Sequence, residues 1–311
     1  MNEDVKQQWF AIVNPTSGNG RGAKDWPLIR EMLHQAGITF EYQLTQKPYQ
    51  GLELAGKALK EGYRKLLIVG GDGTMNEAVN AVHRTGNIEN VTLGIIPIGT
   101  GNDWCRTMGI PHQYGKAVEI LCSGKTFHQD IGYLTFSDGK PGRCFINIAG
   151  IGFDARVVQT VQKKRLKSGS VSSVSYLWYM LRQLIGTQSV DAELLLGEQT
   201  VSKPLFTLAA AICRYNGGGM KQAPDAIPDD GLLDITFVTS IAAIKVLLNL
   251  PKLYSGSFVK LKEVFQYRTP RIVVETAEPV PVETDGELAG QTPVQIHILP
   301  EKLRVIAPGP E

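Results

Sequence analysis

LLIVGGDGTMNEAVNAV (Leu66–Val82) decides how the rest of the chain is read. Leu66 to Gly70 bury easily; then Gly71, Gly73 and Thr74 crowd around one acid, Asp72, and a helical pattern starts at once. An apolar run without polar alternation is the pattern of a strand covered on both faces, as in a parallel sheet. Glycines at its end let backbone amides come close to an oxyanion with no side chain in the way. Thr74 and Glu77 have the Thr-x-x-Glu spacing of a capping box, which predicts a helix beginning there with its free N–H groups turned toward the strand end. These are the parts of a phosphate cradle, yet Asp72 would repel a bare phosphate. Mg²⁺, held by one or two carboxylates, waters and nucleotide oxygens, resolves the conflict. The plainer alternative is a tight strand-to-helix turn in which Asp72 caps backbone.

One strand later PIGTGNDWCRTMGIP (Pro97–Pro111) repeats the device: Thr100 and Asp103 share the Thr-x-x-acid spacing, and Asn102 and Asp103 would add polar ligands facing Asp72. A third glycine-rich end is NPTSGNGRG (Asn14–Gly22). Gly18-x-Gly20-x-x-Ala23, with Glu41 about 20 residues on, loosely matches a dinucleotide fingerprint, so an NAD(P)-dependent enzyme is a competitor. Against it, Pro15, Thr16 and Ser17 stand where that motif wants a direct turn. Ala23 stands where a Walker motif needs glycine.

The chain has two rhythms. Up to about Asp130, the runs WFAIVN (Trp9–Asn14), ITFEYQL (Ile38–Leu44), KLLIVGG (Lys65–Gly71) and TLGIIPIG (Thr92–Gly99) alternate with amphipathic stretches. That order predicts a parallel sheet covered by helices, with ligands beyond the carboxyl ends of the strands. After Asp130, short strand-like runs punctuated by Gly and Pro predict a mainly antiparallel sandwich or barrel-like domain. Helical patterns interrupt it only around Ala155–Gly186 and Ile241–Leu253.

At 311 residues, two domains fit, and 43% hydrophobic with 20% charged residues is ordinary globular composition. A net charge of +2 gives no argument for a nucleic-acid partner. MNEDVKQQWF carries two acids and soon becomes a strand, so no signal segment is expected, and no apolar run approaches a membrane span. Cys105, Cys122, Cys144 and Cys213 are scattered without a CxxC pair, which predicts reduced, buried thiols in a cytosolic protein.

With all three motifs in view the chain resembles the diacylglycerol kinase catalytic family, whose members include bacterial soluble lipid kinases and, more distantly, sphingosine and ceramide kinases. NPTSG, GGDGTMNE, PIGTGNDW, PDAIPDDGLLDI and ETDGELAG occur in the family's order and span nearly the whole chain. The resemblance implies an ATP-binding α/β domain over residues 1–130, with a parallel sheet like that of NAD kinase and phosphofructokinase. It is completed by a C-terminal strand at about 300–311. A mainly antiparallel β-sandwich over 131–299 would support the lipid, with the reaction between them.

By the same resemblance, ATP would be held by Asn14, Pro15, Thr16, Ser17, Gly18 and Thr45, and by Gly71, Asp72, Gly73, Thr74, Met75, Asn76 and Glu77. Thr100, Asn102 and Asp103 complete that set. Asp72 would anchor a Mg²⁺–water network completed by Asp103. A second metal loop would use the Asp230 carboxylate with the carbonyls of Ile227 and Leu232; the plainer reading is a hairpin turn with solvated acids. Asp285-Gly286-Glu287 also reads as a turn, and the resemblance implies that Asp285 or Glu287 is the general base. Asp72, Asp285 and Glu287 are therefore the catalytic candidates.

The implied reaction moves the γ-phosphoryl group of ATP to the hydroxyl of a lipid alcohol, of diacylglycerol type. The rivals are a NAD kinase-like enzyme, the NAD(P)-dependent enzyme and a nucleotide-binding regulator without catalysis. Lys163, Lys164, Arg165 and Lys167 precede an aromatic-rich helical pattern with Tyr176, Leu177, Trp178, Met180 and Leu181. These could border a lipid entrance or form a solvated loop and a packed helix. A cytoplasmic enzyme touching the inner membrane face transiently is expected, and an edge strand could support a homodimer.

Overall fold

A computed structural model gives the structure of residues 8–86, 88–168 and 173–310, the side chains of 165–168 and 173–179 lying outside the description. The chain divides into two compact units, residues 1–131 with 299–311 and residues 132–298.

In the first unit, the apolar runs become β1 (Trp9–Val13), β3 (Lys65–Gly70) and β4 (Thr92–Pro97), flanked by β2 (Phe40–Leu44) and by β5 (Thr126–Gln129) and β18 (Leu303–Ile306). Their order is β2-β1-β3-β4-β18-β5, parallel except for β5 against β18. Ala11, Ile12, Val13, Leu66, Leu67, Ile68 and Val69 are fully buried, as strands covered on both faces must be. The connecting helices are α1 (Ser17–Gln35), α2 (Gln50–Glu61), α3 (Asp72–Arg84), the five-residue α4 (Asp103–Thr107) and α5 (Tyr114–Ser123). Because β1, β3 and β4 are neighbours, their three glycine-rich ends emerge side by side.

The second unit has two six-stranded antiparallel sheets. One is ordered β10-β9-β14-β17-β6-β7 and the other β13-β12-β11-β8-β15-β16. The first is built from β6 (Gly132–Phe136), β7 (Arg143–Phe145), β9 (Val190–Leu196), β10 (Gln199–Leu205), β14 (Arg271–Thr276) and β17 (Val294–Ile298). The second uses β8 (Ile148–Gly152), β11 (Thr207–Ala211), β12 (Leu233–Val238), β13 (Val264–Thr269), β15 (Pro281–Thr284) and β16 (Glu287–Gln291). The helical patterns resolve into α6 (Phe153–Ser168), α7 (Ser173–Gly186), α8 (Ala243–Leu248) and α9 (Leu250–Ser255). Phe153, Val157, Val161, Leu184, Phe206 and Val238 form a core cluster that ties α6 and α7 to the second sheet. The α/β unit and the antiparallel sandwich are the two fold classes the sequence rhythms predict.

Candidate functional site

Asn14 is the hub of the first strand end. Its Nδ2 donates to Thr74 Oγ1 at 2.9 Å, and its Oδ1 accepts from the Thr16 N–H at 3.1 Å and the Thr16 hydroxyl at 2.9 Å. The chain then passes through Gly18, Asn19 and Gly20, all left-handed at φ 60°, 59° and 88°. A Cβ on Gly18 would lie 2.3 Å from the Ile98 carbonyl oxygen, so the loop of β1 can rest on the end of β4 only with glycine there. Thr45 follows β2 and donates its N–H to the Val13 carbonyl at 2.9 Å. No direct strand-to-glycine turn exists, and Glu41 is an exposed residue of β2.

Both helix starts differ from the sequence expectation. α3 begins at Asp72, with Gly71 as an extended cap and no side-chain capping bond, so Thr74 is already inside the helix. The Thr74 hydroxyl is bound by Asn14, and the Glu77 carboxylate lies beside Gly51 of α2, 2.5 Å from where a Cβ would be. Two long-range contacts thus displace the local capping box. Likewise α4 begins at Asp103 with Asn102 as its left-handed cap at φ 48°, and Thr100 lies exposed outside it. Met75 and Asn76 are fully buried, main chain included.

The acids meet as the motif spacing suggests. The Asp103 N–H donates to Asp72 Oδ2 at 3.0 Å. The point where Gly101 would carry a Cβ lies 3.5 Å from Asp103 Oδ2 and 3.7 Å from Asp72 Oδ2. Gly71 and Gly99 leave space for no Cβ between them: one on Gly71 would lie 3.0 Å from the Gly99 Cα. Asn102 Nδ2 donates to the Gly99 carbonyl at 2.8 Å, while its buried Oδ1 has no hydrogen-bond partner among the described residues. The two carboxylates fit one hard divalent cation that takes its other ligands from phosphates and water, while Asn102 Oδ1 faces the gap between Gly71 and Gly99. No group of three or more His, Cys, Asp or Glu side chains among the described residues is placed to hold a metal ion by itself.

In the second unit, Thr284 pairs with Glu287 across Asp285 and Gly286, whose φ values are 49° and 83°. Two positive φ values in a two-residue loop make a type I′ hairpin, the turn for which Asp-Gly is suited. Asp285 Oδ2 accepts from the Ile146 N–H at 3.0 Å, and Oδ1 from the N–H groups of Asn147 and Ile148 at 3.0 and 3.1 Å. Glu287 is ion-paired with Arg143. Beneath the turn, Glu283 is 1% exposed and accepts from the Gly286 N–H at 2.8 Å. Burial raises the Glu283 carboxyl from 4.5 to about 8, and the neighbouring charges of Asp154 and Asp285 push the same way against Gly286 and Arg143. Asp154, also raised by burial, accepts from Thr207 Oγ1 at 3.1 Å and Gln222 Nε2 at 2.9 Å. Sequence reading missed Glu283 and Asp154: Glu283 opens the ETDGELAG stretch but carries no role there, Asp154 belongs to no quoted motif, and only the hairpin register brings Glu283 under the turn.

Asp230 is otherwise engaged. Its Oδ1 accepts from the Leu232 N–H at 3.1 Å and its Oδ2 pairs with Arg268, which also reaches Asp234 Oδ1 at 3.2 Å. Ile227 is 41% exposed. A guanidinium thus already supplies the positive charge at this loop, and the donor set does not fit a second metal ion while Arg268 stays.

The comparisons follow the same division. The family described as diacylglycerol kinase catalytic domain matches residues 8–134, and the YegS C-terminal NAD kinase beta sandwich-like domain matches 147–307. A diacylglycerol kinase of Mycobacterium tuberculosis is 30% identical over 300 residues, covering 96% of this chain and 94% of the relative. The chain belongs to the diacylglycerol kinase family. This lipid kinase is also 28% identical over 299 residues to a diacylglycerol kinase of Staphylococcus carnosus, with 96% and 94% of the two chains covered. A solved diacylglycerol kinase structure from Bacillus anthracis superposes at a TM-score of 0.72 over 97% of both chains at 22% identity, a likeness of fold.

Two further expectations meet the structure of this lipid kinase. Cys105, Cys144 and Cys213 are buried free thiols, but Cys122 is exposed in the last turn of α5. Burial pushes the Cys105 thiol well up, and the charge of Asp72 adds to this, so it is an inert core group. Lys163 and Lys164 are exposed on α6, and Met180 packs against the core cluster with Leu181 half-buried. Arg165, Lys167, Tyr176, Leu177 and Trp178 fall outside the described side chains. No helix among the described residues is long and apolar enough to cross a membrane.

Proposed function

We propose that this lipid kinase transfers the γ-phosphoryl group of ATP, with Mg²⁺, to the hydroxyl of a lipid alcohol of the diacylglycerol type. The observation that carries the reading is the convergence of the Asp72 and Asp103 carboxylates over Gly101, at strand ends stripped of side chains. Backbone amides of the left-handed Gly18–Gly20 loop and of the start of α3 would bind and orient the phosphates. Asp72 and Asp103 would hold the cation. When bound, Mg²⁺ neutralises charge developing on the phosphates.

Phosphoryl transfer asks little covalent work of the protein, only alignment, charge neutralisation and a place for the hydroxyl proton. As the bond from the γ-phosphorus to the departing ADP oxygen breaks, the bond to the lipid oxygen forms and the hydroxyl proton passes to a carboxylate. Glu287 is the better acceptor of the two candidates. Asp285 spends both oxygens on three backbone amides, which suits it to fixing the turn, whereas Glu287 is held from one side by Arg143. Relatives named diacylglycerol kinase support that acceptor class. Such an acceptor brings the enzyme to a bilayer surface, and we place it on the cytoplasmic side, where ATP is available.

The test is calorimetric titration of ATP with and without Mg²⁺, paired with a screen of lipid alcohols for ATP-dependent phosphate incorporation. Mg²⁺-dependent ATP binding and phosphorylation of a diacylglycerol are the expected results. Absence of ATP binding, or phosphate appearing on NAD instead of on any lipid, would overturn the reading.

A further inference from the structure

Glu283 belongs to none of the roles assigned above. It lies on β15, opposite Gly150 of β8, and the pairing of β15 with β16 shifts register between Val282 and Glu283. The absence of a side chain on Gly150 admits the carboxyl: a Cβ there would stand 2.5 Å from Glu283 Oε1. The other oxygen, Oε2, takes the N–H of Gly286 at the apex of the hairpin turn. A carboxyl of a residue only 1% exposed is therefore inserted between a glycine of one strand and the apex amide of the Asp285-Gly286-Glu287 turn. A type I′ loop holds its geometry without such help. A side chain brought under it at the expense of desolvation asks for a reason.

We propose that Glu283 is a positioning residue of the phosphoryl-transfer site: by binding the Gly286 amide from beneath, it fixes the turn that presents Glu287 to the hydroxyl. The proposal rests on the reading of that turn as the proton acceptor. The surroundings favour a neutral Glu283 at neutral pH. β8 contributes no charged side chain; α6 brings Asp154, the turn brings Asp285, β16 brings Glu287, and β7 brings Arg143, which is paired with Glu287. Arg156 of α6 lies against the cavity it shares with Pro281 and Leu288. Burial is the main penalty on a charged Glu283, and the neighbouring Asp154 and Asp285 push the same way. A protonated carboxyl keeps one oxygen as acceptor for Gly286, as the geometry requires, and gains one O–H donor. Ionisation above pH 8 would leave the amide bond in place but add repulsion against Asp285, loosening the turn.

The test compares Glu283→Gln and Glu283→Ala with the full-length enzyme. Glutamine keeps an acceptor for Gly286 but cannot ionise; alanine removes the acceptor and leaves a cavity. The alanine variant is expected to lose roughly tenfold to a hundredfold in kcat, as a misplaced catalytic group does. Its KM for ATP should hold, and the glutamine variant should recover most of the loss. Wild-type kcat should decline above pH 8, and the decline should be absent in the glutamine variant. Infrared difference spectra should show a protonated carboxyl that titrates near pH 8 in wild type and is missing from Glu283→Gln. Equal loss in both variants, no loss in alanine, or identical pH profiles for wild type and glutamine would overturn the proposal. If alanine does not fold, the glutamine profile and the infrared band decide alone. Wild-type kcat in Glu287→Gln would instead overturn the assignment of the base, a failure separable from the infrared result.

Discussion

The buried acid of the hairpin makes stability a function of pH in a direction opposite to most carboxylates. Glu283 has an ordinary value of 4.5 and is raised to about 8 in the folded chain, chiefly by desolvation. Between those values, the unfolded chain releases the proton while the folded chain keeps it. The folded state then binds more protons, so stability falls as pH rises. The contribution is whole below pH 4.5 and is lost as pH climbs through 8. The interval is about 3.5 pH units, and at about 1.36 kcal/mol per unit it amounts to about 5 kcal/mol, of which about 3 are gone by pH 7. At 1% exposure the group has no solvent screening to discount, and the sum is comparable to the whole stability of a modest domain, about 5–15 kcal/mol.

Glu283→Gln removes the titration and leaves the bond to Gly286. The measurement is urea unfolding of both proteins followed by circular dichroism at half-unit steps from pH 4 to 9. The difference between their midpoints, multiplied by the common slope, should fall with pH by about 1.4 kcal/mol per unit and flatten at both ends. Parallel curves would refute the reasoning, because they would mean that Glu283 titrates alike in both states. A difference growing in favour of wild type with pH would refute it more strongly, since that is the sign of a depressed carboxylate.

Other expectations follow from the first unit. Gly18→Ala forces a Cβ against the Ile98 carbonyl at φ +60°; a cost of about 1–3 kcal/mol from backbone strain should appear as a lower melting temperature, with weaker ATP binding by calorimetry. Asp72→Asn should cut kcat by about a hundredfold or more at unchanged circular dichroism, since one carboxylate replaced by an amide leaves the cation half its charge partners. Thr74→Val should lose about 1 kcal/mol in urea unfolding with the bond from Asn14. Calorimetry of Mg²⁺ in the presence of ATP should count one protein-held site, because Asp230 is paired with Arg268; a second site of similar affinity would contradict that.

Legibility followed the range of the forces. Strands β1, β3 and β4 were legible because their apolar runs are local and burial on both faces leaves no ambiguity of period. The Asp285-Gly286 turn was legible for the same reason: two positive φ values are a demand that Asp-Gly meets by itself. The helix start at Asp72 was misread because the deciding contacts are not local. Asn14 takes the Thr74 hydroxyl across 60 residues, and Glu77 turns to Gly51 of another helix, so a capping box written in the sequence has no side chains left to close it. Asp230 is the same case: its partner Arg268 is 38 residues away on β13, and nothing in AIPDDGLLD announces it.

The two acid groups also differ in a way that spacing alone conceals. Asp72 and Asp103 belong to short glycine-bearing motifs, Asp72 between two glycines and Asp103 two residues after Gly101, and they meet because neighbouring parallel strands end together. Their charges are tolerable where amide dipoles and a cation can answer them. Glu283, Asp154 and Asp285 are assembled from three elements of an antiparallel unit, with three backbone amides committed to Asp285 and one to Glu283. Arg143 pairs with Glu287. Three neighbouring carboxyls held away from water cannot all ionise cheaply, and the most buried one gives way. The proton kept on Glu283 is therefore the counterpart, in the second unit, of the cation expected beside Asp72 in the first: each lets acids stand together where a bare set of negative charges would force them apart.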